Sequence, residues 1–193
     1  MSCQNKQDFC VGTGETFQPV LRWGSEVLIS KPISAISQAA PVVVSAVGHA
    51  VPDGWRVAVV SAKGMTQINA KNFPPTGTDW HKATVLTVDT VQLNRVNSAD
   101  YAAYLSGGFL VYNTPVTLTG MTAKMTIRDA PITGAVLVTL TEILGITLND
   151  TAKTITPLLA TAALTWTTGY YDLELTDTGG KVTQLLSGVI TIN

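Results

Sequence analysis

The strongest constraint on this chain lies near its C-terminus, in the stretch Gly169–Ile192, GYYDLELTDTGGKVTQLLSGVITI. Tyr171, Leu173 and Leu175 alternate with Asp172, Glu174 and Thr176, the period of two that a half-buried strand requires. Asp177-Thr178-Gly179-Gly180 supplies a turn, because glycine accepts positive φ without steric cost. A second strand follows through Val182, Leu185 and Leu186, with Gly188 marking a bulge or break before Val189–Ile192. An isolated hairpin is marginal in water. This one must therefore add to a sheet that the upstream chain builds.

Upstream, the periodicity stays at two but the spacing changes. Residues 1–8 read as a flexible leader. Gly14 to Trp23 follows, with Phe17 at one end and Leu21 and Trp23 in alternation, and Pro19, which cannot donate to a ladder, indicates an edge strand or a strand start. From Pro32 to Gly108 the strands are short and closely spaced (VVVS, WRVAVVS, KATVLTV, TVQL), with turns at Asp53-Gly54 and Lys63-Gly64. That pattern predicts a small, strongly bent β-barrel. From Thr114 onward, Ala123, Met125 and Ile127 form one face of a clear strand and further strands follow, as in an antiparallel sandwich. The expected fold class is all-β, a sandwich with a barrel in the same chain.

Only 13% of the 193 residues are charged, against about 25% in ordinary soluble domains. Such a surface is poorly suited to a free monomer, so much of it is expected to be covered in a multi-copy, symmetric assembly. A net charge of -1 gives no reason to expect nucleic acid or an anionic membrane as partner. No apolar run approaches the ~20 residues of a membrane-spanning helix, so no membrane insertion is expected. The N-terminal MSCQNKQDFC lacks the basic start and apolar core of a secretory signal. Cys3 and Cys10 are read as free thiols of a protein made in the cytoplasm.

Candidate chemistry is sparse. His49 and His81 each fall in a turn or loop, and no H-x-x-x-H, C-x-x-C or acidic calcium loop accompanies them. The carboxylates of Asp53, Asp79, Asp89, Asp100, Asp129, Asp172, Glu174 and Asp177 fall in turns or on polar strand faces, and nothing in their spacing asks for a catalytic pair. Asn149-Asp150-Thr151 fits a glycosylation pattern, which means nothing without secretion. The expectation is therefore a non-enzymatic protein without catalytic residues, cofactor or bound metal. Trp23, Trp55, Trp80 and Trp166 serve equally well as core anchors or contact residues. Phe9, Phe17 and Trp23, the apolar residues nearest the leader, are the candidate partner interface, with sandwich core as the competing reading of Phe17 and Trp23.

Two resemblances sharpen this reading. Leu118-Thr119-Gly120, Ile127-Arg128, Tyr171-Asp172-Leu173 and Gly188-Val189-Ile190 occur in the order found in the immunoglobulin-like domain at the N-terminus of phage baseplate and tail-fibre proteins. Gly14-Glu15-Thr16-Phe17 resembles the strand that precedes the Leu-Thr-Gly turn in that family. Residues 33–108, through Gly48-His49, Asp53-Gly54, Val57, Gly64-Met65, Asn69 and the tyrosine-rich stretch before Gly107-Gly108, resemble the first catalytic-cysteine half-domain of ubiquitin-activating enzymes. That small barrel recurs in phage structural proteins. The segment holds no cysteine, so ubiquitin-like chemistry is not implied.

The resemblances imply an immunoglobulin-like sandwich from residues 9–30 and 110–193, with a barrel, 31–109, inserted between its first and second strands. The implied role is a virion adaptor at the tail tip, baseplate or fibre attachment point, with other virion structural proteins as partners. Neck or head-associated decoration, or a host-surface carbohydrate-binding module, are the alternatives. Exposed Trp or Tyr on one flat face would favour the last.

Overall fold

The computed structural model describes residues 6–193. It is all-β: the described residues hold no α-helix, only short 3-10 turns at Thr66–Ile68 and Gly77–Asp79. The strands run in chain order as β1 (Phe9–Val11), β2 (Thr16–Phe17), β3 (Gly24–Pro32), β4 (Ala35–Ile36), β5 (Val42–Ser45), β6 (Arg56–Val60), β7 (His81–Thr87) and β8 (Thr90–Leu93). They continue as β9 (Phe109–Pro115), β10 (Thr122–Arg128), β11 (Val136–Thr141), β12 (Ile146–Asn149), β13 (Thr154–Pro157), β14 (Leu159–Ala160), β15 (Thr168–Thr176) and β16 (Val182–Ile192). The chain divides into two compact units, one from the described residues up to Trp23 with Thr117–Asn193, the other Gly24–Val116.

The first unit is a sandwich. Its larger sheet has the order β1-β16-β15-β10-β11, antiparallel except for the parallel pair β1–β16. The alternation read from the sequence places Tyr171, Leu173 and Leu175 in the core, packed with Met125, Ile127 and Ile190. The hairpin turn is held by Asp177, whose carboxylate accepts from the Gly179 and Lys181 N–H groups at 2.9 and 3.0 Å, while Gly180 takes φ +83°. Against this sheet lie β12–β13 and β2–β14, and Leu21 exchanges backbone hydrogen bonds with Ile155 at 2.9 Å in each direction. Phe17, Ile146, Ile155 and Leu159 bring that second layer into the same core.

Three expectations for this unit need correction. Gly188 marks no break: β16 is continuous, and its irregularity falls at Leu185, where Leu173 pairs with Leu186 but Glu174 with Gln184. Glycine is needed at 188 because a Cβ there would stand 2.1 Å from the Gln7 carbonyl oxygen. The expected leader is also too long. Lys6 bridges Ser187, the Gln7 N–H donates to the Ser187 carbonyl at 2.9 Å, and the Asp8 carboxylate accepts from Val189 N–H at 2.9 Å. Residues 1–5, with Cys3, lie outside the described residues. Finally, β1 and β2 both precede the second unit in the chain, so the interruption follows two strands rather than one.

The second unit is a single antiparallel sheet in the order β3-β9-β6-β7-β8-β5-β4. Its two end strands, β3 and β4, are separated in sequence by Ile33 and Ser34 alone. The three backbone steps from Pro32 to Ala35 reach no more than about 11 Å, far less than the width of a flat seven-stranded sheet, so the sheet curls back on itself into a barrel. Val42, Val44, Val57, Val59, Ala83, Val91, Leu93, Leu110 and Tyr112 fill the interior. The expected boundaries at 30/31 and 109/110 fall inside strands. β3 and β9 pair from Gly24↔Pro115 to Pro32↔Phe109 and both belong to this unit. Neither SEVLISK nor FLVYNT shows a clean period of two, and only the pairing partner assigns them to a unit.

Candidate interaction surface

The 61–80 segment of the barrel brings polar, charged and aromatic side chains to two depressions. Between β6 and β7 the chain makes two 3-10 turns, and Asp79 organises the second. Its Oδ1 accepts from Lys71 N–H at 2.9 Å, and its Oδ2 accepts from Thr76 N–H and Asn72 Nδ2 at 3.0 Å each. These hydrogen bonds, that from Lys71 first, hold its carboxyl at a pKa of about 2. A carboxylate so engaged is a poor proton acceptor at neutral pH. Beside it, burial pushes the His81 imidazole below its ordinary pKa, opposed by the Asp79 charge. Thr76-Gly77-Thr78-Asp79 is a capping-box pattern, a signal the sequence carried.

Two depressions flank this loop. One, of about 290 Å³, is polar and lined by Gln67, Asn69, Lys71, Asp79, His81 and Arg95 among others. The other, about 450 Å³, is lined by Ser30, Val60, Ser61, Asn72, Phe73 and Phe109, with Ala70 and Lys71 common to both. Phe73 is 72% exposed and Phe109 43%. Among the described residues none of the Trp or Tyr side chains is exposed.

The histidine at 49 belongs to the fold. Its Nδ1 accepts from Val51 N–H at 2.9 Å, which leaves Nε2–H to donate to the Thr87 carbonyl at 3.1 Å, and the Tyr112 hydroxyl donates to the His49 carbonyl. Both ring nitrogens are thereby occupied in a 1% exposed side chain. Among the described residues no three His, Cys, Asp or Glu side chains come together in a metal-binding group.

Phe9, Phe17 and Trp23 are brought together, but around the sandwich core. Phe17 is 3% exposed, and its ring meets that of Phe9 edge-on at 5.1 Å, with Phe9 also 5.7 Å from Tyr171. Phe9 and Trp23 are half-buried against the same cluster. The Phe17 side chain therefore faces inward and offers nothing to a partner.

Asp150, read from the sequence only as part of a glycosylation pattern, joins two loops. Its carboxylate accepts from Leu118 N–H at 2.6 Å, Thr119 Oγ1 at 2.9 Å and Lys153 Nζ at 2.6 Å. The Lys153 bond first, then the others, holds its pKa at about 2. No short-range signal could have found this contact, since Leu118 lies 32 positions away. No protein-family model matches the chain, and no curated protein matches it in sequence.

Proposed function

We propose that the protein is a non-enzymatic structural component of a tailed-phage virion, an adaptor at the tail tip, baseplate or fibre attachment point, and that its sandwich is immunoglobulin-like. One observation carries the reading. Ile127 pairs with Tyr171 and Tyr171 with Gly188 across β10, β15 and β16. A fragment some 44 positions upstream thus shares one row of adjacent strands with the two fragments of the hairpin, as parts of a single domain pattern should. The placement of a barrel between two segments of a sandwich, and a surface poor in charge, agree with a part built to sit among other subunits.

The neck or head-associated role uses the same modules and differs only in position. A carbohydrate-binding module loses its main support, because its stacking platform calls for exposed Trp or Tyr, whereas the exposed aromatic residues are Phe73 and Phe109. The test is mass spectrometry of purified particles of the phage whose genome encodes the chain, with tails and heads separated. Recovery in the tail fraction at several copies per particle is the expected result. Recovery with tail-less heads would move it to the neck or head. Its presence in infected lysate but absence from particles would refute the proposal.

A further inference from the structure

The polar depression of about 290 Å³ beside Asp79 holds an unbalanced positive charge. Lys71 and Arg95 both line it, and among the described residues neither side chain has a carboxylate within ion-pair distance. Asp79 brings a single negative charge against these two cations, which leaves the depression net positive. Its two oxygens are already taken up by the Lys71 and Thr76 N–H groups and the Asn72 amide. Cationic side chains on a concave wall focus the field and raise the local concentration of anions. The remaining lining includes Gln67, Thr78 and Asn97, whose amides and hydroxyl hydrogen-bond to neutral polar groups. The volume is at the small end of ligand pockets.

We propose that this depression binds one small oxyanion, a carboxylate or phosphate group carried on a molecule no larger than about one sugar ring. Arg95 supplies the planar fork that matches an oxyanion with two parallel hydrogen bonds, and Lys71 supplies a point charge. The proposal rests on this depression alone and stands or falls separately from the virion reading.

The experiment is an NMR titration of the whole chain at low salt with three probes: inorganic phosphate, glucuronate and neutral glucose. Saturable shifts confined to residues 67–81 and 95–101 are expected with phosphate or glucuronate at a Kd on the order of 1 mM, and none with glucose. Phosphate alone would identify the source as a phosphoryl group; glucuronate alone would identify an acidic sugar. Arg95→Gln and Lys71→Gln each weaken binding by about tenfold, while Lys63→Gln, exposed on the barrel and outside the depression, leaves it unchanged. Both depression variants replace exposed side chains, and unchanged amide spectra elsewhere will establish that they fold. Absence of saturation by either anion, equal affinity for glucose, or binding indifferent to Arg95→Gln and Lys71→Gln would overturn the proposal.

Discussion

Tyr171 donates its hydroxyl hydrogen bond to the backbone carbonyl of Gln7 at 2.7 Å, across 164 positions of sequence. The residue at the centre of the C-terminal hairpin thereby holds the N-terminal segment against β16. Burial, and secondarily the charge of Asp8, push the Tyr171 phenol well above its ordinary pKa, so it remains a donor at all ordinary pH values. Tyr171→Phe removes one buried hydrogen bond and is expected to cost about 1 kcal/mol in urea denaturation, with faster amide exchange in residues 7–11. Gly188→Ala, which sets a methyl against the same carbonyl, should cost more, about 1–3 kcal/mol. Unchanged exchange in residues 7–11 in both variants would show that this clamp does not hold the segment.

Asp150 makes the sandwich sensitive to acid. Its folded pKa of about 2 lies below the ordinary 3.8, so the unfolded chain takes up the proton first. The stabilisation is complete above about pH 4 and is lost as pH falls towards 2. Asp79 acts with the same sign in the barrel. Carboxyl carbon NMR should show both groups titrating near pH 2. Asp150→Asn should flatten the decline of the sandwich's urea midpoint over this range; an unaltered slope would refute the link.

Phe17→Ala opens a cavity where the Phe9 and Phe17 rings meet, at an expected cost of about 3–5 kcal/mol. Phe73→Ala, at a 72% exposed site, should leave the unfolding midpoint within about 0.5 kcal/mol of the parent. Similar losses in the two variants would contradict this division between core and surface.

Gly24 and Pro115 are register partners, so their Cα atoms lie about 4.5–5.5 Å apart. A linker of a few glycines in place of 24–116 should therefore leave the sandwich folded, and residues 24–116 should fold alone around their own core. Cooperative thermal unfolding of each product is the expected result. Two non-cooperative products would show that neither unit is self-sufficient.

The sequence by itself determined the all-β class, because side-chain alternation is a local property that each strand carries. It also carried the Asp177–Gly180 turn and the inward row Tyr171, Leu173, Leu175, where one face is buried and the period of two leaves a single register. The Thr76–Asp79 capping box was local as well, and could have been read. The tertiary structure alone decided which sheet each strand joined. SEVLISK and FLVYNT carry no clean alternation of their own, and pairing with one another assigned both to the barrel. It also decided that Phe17 is core, that Gly188 answers to Gln7, and that Asp150 caps a turn 32 positions upstream. The physical reason is the same throughout. Alternation records that a side chain is buried, but partners distant in sequence, brought near only by the folded backbone, determine what buries it.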